Sequence, residues 1–205
     1  MELARGGAPE GTTVVADEQT AGRGRRDRRW FSPRGEGLYH SIILRPSIPP
    51  ESAPLLTLLA AVGLSDTLRS GYHIESDIKW PNDVLIQGRK CAGILLEMEP
   101  RDREVGFVIL GIGVNLNQRG FPPEVAPGAT SLFLEIGRDS NVEEFRERLF
   151  EQMADGYEAF QAAGPRWVID QWMERSTYAE GRAVWVELGR MKLSGTTCEI
   201  GRAHV

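Results

Sequence analysis

Six arginines fall within residues 22–34: Arg23, Arg25, Arg26, Arg28, Arg29 and Arg34, with Gly22 and Gly24 among them. A guanidinium presents a planar fork of donors that grips phosphate or carboxylate through two parallel bonds. Glycine lets a backbone approach an anion closely and adopt positive φ without strain. The chain as a whole is acidic, with 29 Asp and Glu against 24 Lys and Arg and a net charge of −5. Such local density therefore calls for an anionic counterpart. Taken alone, the run reads equally well as a flexible basic arm on nucleic acid. Trp30, Phe31 and Pro33 directly follow it and favour an ordered loop that closes over a pocket.

A second constellation is Lys79-Trp80-Pro81-Asn82-Asp83. Pro81 holds Trp80 extended, so one rigid corner presents a cation, an amide and a carboxylate. That set suits a nucleotide, with Lys79 toward phosphate and Asn82 or Asp83 toward Mg²⁺ or a sugar hydroxyl. Lys90 follows seven residues after Asp83 and returns a second cation to the corner across a hairpin. The plain alternative is a tight turn with a surface Lys–Asp pair, worth about 0–1 kcal/mol.

Other motifs carry less. Gly111-Ile112-Gly113 lacks the third glycine of a dinucleotide fingerprint and reads first as a bulged core strand. No GxxxxGK[ST] occurs. Cys91 has no histidine partner and reads as core, and two cysteines make no disulfide framework. His40, His73 and His204 stand at no metal-ligand spacing, which argues against a zinc enzyme.

The elements that must position these groups follow from periodicity and punctuation. Residues 12–17 and 38–44 read as strands, and residues 45–54, with four prolines, as a loop. Leu55, Leu56, Leu58, Leu59, Val62 and Leu68 recur at helical spacing, with Gly71 as the expected C-cap. Strands are expected at residues 77–80, 84–86 and 91–98, with a hairpin turn at Gln87-Gly88, and a buried strand at residues 105–116. Ser140 is the expected N-cap of a helix over residues 142–160, whose stripe is Phe145, Leu149, Met153, Tyr157 and Phe160. Residues 167–173 give a further short helix. From Arg182 the pattern alternates, as in the first strands of a small β unit that the chain is too short to close.

Taken together, ADEQTAGRGRRDRRWFSPRGEGLYHSIILRP, IKWPNDVLIQGRKCAGILLEME and VILGIGVNLN resemble the three signature segments of biotin–protein ligases, in the family's order and spacing. The resemblance runs from about Gly7 to Arg190. It implies an α+β fold: a mixed β-sheet with helices packed on it, related to class II aminoacyl-tRNA synthetases, then a small β-barrel. It also implies a reaction, the ATP-dependent activation of biotin to biotinyl-5′-AMP. The biotinyl group then passes to a lysine of a biotin carboxyl carrier protein, such as that of acetyl-CoA carboxylase.

The resemblance implies roles residue by residue. Gln19, Arg23, Gly24, Arg25, Trp30, Lys90 and Gly93 would hold biotin. Arg25, Arg28, Lys79, Asn82, Asp83 and Asn115 would hold ATP and the adenylate, with Asp83 serving Mg²⁺. Lys90 and Arg25 would be catalytic. The chain departs from the family at Asp27, where glycine is usual. A carboxylate there either pairs with Arg25 or Arg29 or weakens retention of the adenylate.

On this reading residues 1–176 are the catalytic domain without its N-terminal part, and the Ser-Thr segment before Gly7 that contributes to the biotin pocket is missing. Residues 177–198 begin an incomplete β domain. Residues 199–205 fit neither strand nor helix and back-translate, with one codon choice, to a sequencing adapter, so they are expected to be a non-native tail. No DNA-binding domain, signal peptide or membrane span is expected; the compartment is the cytoplasm, and a homodimer stays open. Two rival readings are a lipoate or octanoate transferase of the same fold and a nonenzymatic nucleic-acid-binding module.

Overall fold

The computed structural model describes residues 1–188 and 191–198; the tail expected to be non-native lies outside them. The strands are β1 (Thr13–Ala16), β2 (Gly37–Leu44), β3 (Asp77–Lys79), β4 (Asp83–Ile86), β5 (Arg89–Arg101) and β6 (Glu104–Asn115). They form one sheet in the order β1-β2-β6-β5-β4-β3, antiparallel at every step. A single parallel bridge, Lys90 to Ala129, joins a loop to this sheet. The helices are α1 (Glu2–Arg5), α2 (Leu55–Tyr72), α3 (Leu132–Ile136), α4 (Val142–Ala163) and α5 (Pro165–Glu174). A separate hairpin, β7 (Ala183–Leu188) with β8 (Met191–Thr196), follows.

Side chains on a strand alternate between faces, and here the two faces differ in kind. On one face Leu38, Ile42, Leu44, Ala92, Ile94, Val108, Leu110, Ile112 and Val114 are buried in the main core. Helices α2, α4 and α5 supply the other half through Leu56, Leu59, Leu64, Leu68, Phe145, Leu149, Phe160 and Trp172. α2 is buried around most of its circumference, as expected of a helix enclosed by sheet and helices together. The opposite face carries a minor cluster of Ala4, Ile43, Phe107 and Ile109, and beyond it an open cavity.

Two expected caps move. α2 runs past Gly71, and His73 takes the left-handed C-cap position at φ 56°. The N-cap of α4 is Asn141 instead of Ser140, because the Asn141 side chain accepts from the backbone N–H of Glu143 and Glu144. Neighbouring residues of similar capping chemistry leave that choice to geometry. Helix α3 was not anticipated; at five residues it has no readable period.

His40 lies on the helical face of β2, 4% exposed, with its ring edge-on to Phe150 at 5.0 Å. Neither ring nitrogen has a partner among the described residues. Burial and the Arg146 charge hold its pKa down, from 6.5 to about 4. Below pH 6.5 the unfolded chain takes up a proton that the folded chain refuses until about pH 4. Stability therefore falls with pH across that window. The expected loss approaches about 3 kcal/mol at 1.36 kcal/mol per pH unit. Urea denaturation at pH 7 and pH 4.5 measures it, and His40→Leu should remove most of the difference.

Candidate active site

The open face of the sheet is floored by glycine. Gly93 on β5 pairs with Gly113 on β6, and the next position on that face of β6 is Gly111. A Cβ added at Gly113 would lie 2.5 Å from the Trp30 indole nitrogen. One added at Gly93 would lie 3.0 Å from the Lys90 Nζ and 3.1 Å from Trp30. Real side chains almost never approach as closely as at Gly113, so glycine there is what lets Trp30 lie flat on the sheet, and the fit at Gly93 is tight. The Lys90 ammonium sits 5.2 Å from the Trp30 ring centroid. The Trp30 Nε1–H is a buried donor with no acceptor among the described residues.

The basic loop is a small hairpin. Arg23 bridges Arg29, the Gly24 N–H donates to the Arg28 carbonyl at 2.7 Å, and the Trp30 N–H donates to the Gly22 carbonyl at 2.9 Å. Arg26 and Asp27 at the tip have φ of 55° and 60°, a region that asparagine, aspartate and glycine tolerate best. The pairing considered between Asp27 and Arg25 or Arg29 is not made; the Asp27 side chain is exposed at the tip. Two contacts tie the hairpin to the sheet. Arg23 donates to both oxygens of Glu97 at 2.9 and 2.7 Å, and Arg25 donates to Asn82 Oδ1 at 3.3 Å.

Hairpin, β3–β4 corner and sheet enclose a cavity of about 750 Å³. Every residue expected at the site lines it: Gln19, Arg23, Gly24, Arg25, Arg28, Trp30, Lys79, Asn82, Asp83, Lys90, Gly93 and Asn115. Several are already engaged. Lys90 Nζ pairs with Asp83 Oδ1 at 2.6 Å. Asn82 Nδ2 donates to the Ile94 carbonyl at 2.9 Å, which fixes the corner against β5. Asn115 Nδ2 donates to the Thr130 carbonyl at 2.9 Å and the Lys90 carbonyl at 3.4 Å, so its amide clamps the backbone of Lys90. Gln19 Oε1 accepts from Ser32 Oγ at 2.8 Å. Asn117, two residues beyond Asn115, exchanges two bonds with the Ser140 backbone.

Sequence reasoning missed Gly111, Gly113 and Glu97 as cavity residues, together with the apolar wall that Leu95, Ile109 and Phe121 add to Phe31. Phe31 and Phe121 stack edge to face at 6.1 Å. Alternation along β5 and β6 carried the signal, but only the folded sheet tells which face is open. Seven basic side chains and two carboxylates line the cavity, an excess of five positive charges in a chain whose total is −5. No group of three His, Cys, Asp or Glu side chains comes together among the described residues. Fold and cavity define an α+β domain with a cation-rich cavity across the open face of an antiparallel sheet.

The chain matches the biotin/lipoate A/B protein ligase family over residues 3–115, and it belongs to that family. The bifunctional ligase/repressor BirA of Bacillus spizizenii is 54% identical over 133 residues, covering 64% of this chain and 41% of the relative. The biotin–[acetyl-CoA-carboxylase] ligase of Paracoccus denitrificans is 39% identical over 168 residues, covering 80% of this chain and 70% of the relative. The solved biotin protein ligase of Aquifex aeolicus, in complex with biotin and ATP, superposes with a TM-score of 0.80 at 30% identity. It covers 95% of this chain and 80% of that one. This chain thus spans 41% of the length of the Bacillus relative.

Cys91 is fully buried at the back of this site, and burial pushes its thiol up to about 12. It is not a nucleophile, since almost no thiolate exists near neutral pH. Cys198 is exposed. Iodoacetamide at pH 8 should alkylate Cys198 in the native protein and reach Cys91 only after denaturation; peptide mapping reads both sites.

Proposed function

We propose that this chain carries the catalytic core of a biotin–protein ligase, which makes biotinyl-5′-AMP from biotin and ATP and passes the biotinyl group to a lysine of a biotin carboxyl carrier protein. The observation that carries this reading is the placement of Arg23, Arg25, Arg28, Lys79 and Lys90 around one cavity whose floor is cleared for Trp30. The family and the biotin- and ATP-bound relative support it.

The first step joins two anions. A carboxylate oxygen of biotin attacks the α-phosphorus of ATP, the bond to the β-phosphate oxygen breaks, and pyrophosphate leaves. Two unit charges at 4 Å repel by about 4 kcal/mol at an effective dielectric of 20. That corresponds to roughly a thousandfold in rate, so fixed cations at the junction are the main catalytic requirement. Lys90 is well suited, because Asp83 and the Trp30 face hold its ammonium in place before any ligand arrives. A pre-positioned charge loses less on reorganising than a flexible one. Arg25 and Arg28 lie on the hairpin and would follow the charge as it spreads onto the α-phosphate.

Magnesium enters in this reading as part of the MgATP substrate. Asp83, whose Oδ1 lies 2.6 Å from Lys90 Nζ, would offer its carboxylate to that ion. Trp30 would cover biotin and offer its unpaired indole N–H to an acceptor on the ligand or adenylate. Closure of the hairpin shields the mixed anhydride from water. In the second step the neutral amine of the acceptor lysine attacks the acyl carbon, AMP leaves, and the amine loses a proton. Cytoplasmic location and the carrier protein as partner belong to the same proposal. No helix among the described residues is long and apolar enough to cross a membrane.

Mass spectrometry after incubation with MgATP and either biotin or lipoate tests the reading. The expected product is biotinyl-5′-AMP with biotin and no adenylate with lipoate. Lys90→Ala should lower its rate of formation by about a hundredfold or more, the size of effect that a pre-organised charge at a reacting oxygen produces. Adenylate from lipoate alone would point to the lipoate branch of the family, and full activity in Lys90→Ala would remove this lysine from the mechanism.

A further inference from the structure

The stem of the basic hairpin is tied to the sheet by a carboxylate to which the adenylation reading gives no role. Glu97 lies on the cavity face of β5, opposite Ile109 of β6. Both of its oxygens accept from Arg23, at 2.9 and 2.7 Å. Arg23 is also one half of the Arg23–Arg29 bridge that forms the stem. A bidentate guanidinium–carboxylate pair fixes the plane as well as the position of the guanidinium. It therefore orients the strand that carries Arg23, and with it the stem.

The hairpin needs such an anchor. Arg23, Arg25, Arg26, Arg28 and Arg29 repel one another and favour an opened loop in the absence of an anion. The other polar tie, Arg25 to Asn82, is a single long bond of 3.3 Å to a neutral oxygen. Among the described residues Glu97 is the only carboxylate lining the cavity that is bound to the hairpin; Asp83, the other, is held by Lys90.

We propose that Glu97 is the positioning residue of the hairpin: it holds Arg23, and through the stem bridge the arginine loop, over the cavity before the anionic ligand binds. The consequence for adenylate retention rests on the adenylation reading, but the positioning itself does not. The side chains of Arg23 and Glu97 are 67% and 32% exposed, so the tie is of the modest strength of a surface pair. Its loss should speed opening of the hairpin about fivefold, near the upper limit of such pairs.

Hydrogen exchange of the unliganded protein tests this. The reporters are the amides of Gly24 and Trp30, both bonded within the hairpin. The β6 core amides of Leu110 and Ile112 serve as the folding control. In Glu97→Gln the reporters should exchange about fivefold faster with the core amides unchanged. High salt screens the arginine repulsion in both proteins but the Arg23–Glu97 pair in the native one alone, so the fivefold gap between them should narrow. The exchanged pair Arg23→Glu with Glu97→Arg should return protection toward the native value, although it lacks the guanidinium at position 23. Unaltered reporter exchange in Glu97→Gln, or equal salt sensitivity in both proteins, would overturn the proposal. None of these readouts needs biotin or ATP, so they stand or fall apart from the proposed reaction; adenylate escape in the same variants then measures the consequence.

Discussion

The contact of Trp30 with the glycine floor of the sheet is the constraint on which the rest of the site depends. Strands β5 and β6 bury one face under α2, α4 and α5 and leave the other open. On the open face Gly93 and Gly113 sit opposite each other, and any larger residue at Gly113 would push Trp30 off the sheet. Because Trp30 closes the basic hairpin, the same contact decides where the arginines can reach. One packing fact thus joins the apolar core, the aromatic wall and the charged mouth.

Electrostatics completes the arrangement. The chain is acidic overall, yet it gathers seven cations around a cavity with only two carboxylates. Neither carboxylate is idle: Asp83 steadies Lys90 and Glu97 steadies Arg23. Unpaired, these cations would repel one another; Lys90 and Arg23, held by partly exposed partners, are fixed in place and still exchangeable. A cavity of this kind is prepared for an anion at little cost in reorganisation when the anion arrives.

Much of this was legible in the sequence because its signals are local. A nearly continuous apolar run marked β6, the Gln87-Gly88 turn marked a hairpin, and the Phe145-Leu149-Met153 stripe marked α4. All twelve residues that the family resemblance singled out for the site line one cavity. What was not legible depends on partners far apart in the chain. Gly113 in an apolar strand reads equally as a bulge until Trp30 is seen above it. Glu97 reads as the solvent-facing residue of a strand until Arg23 is found against it. Asn115 was picked for a nucleotide, but its amide is spent on the backbone of Lys90 and Thr130, a cross-chain contact with no local trace.

The most direct test of this account is calorimetric titration of biotin into the native protein and into Gly113→Val, with thermal unfolding in parallel. The account predicts that binding weakens at least tenfold in Gly113→Val while Tm stays within a few degrees, because the substitution displaces Trp30 on the open face and leaves the helical core intact. Native-like biotin binding in a folded Gly113→Val protein would contradict it, for then the glycine floor would not be what makes room for the site.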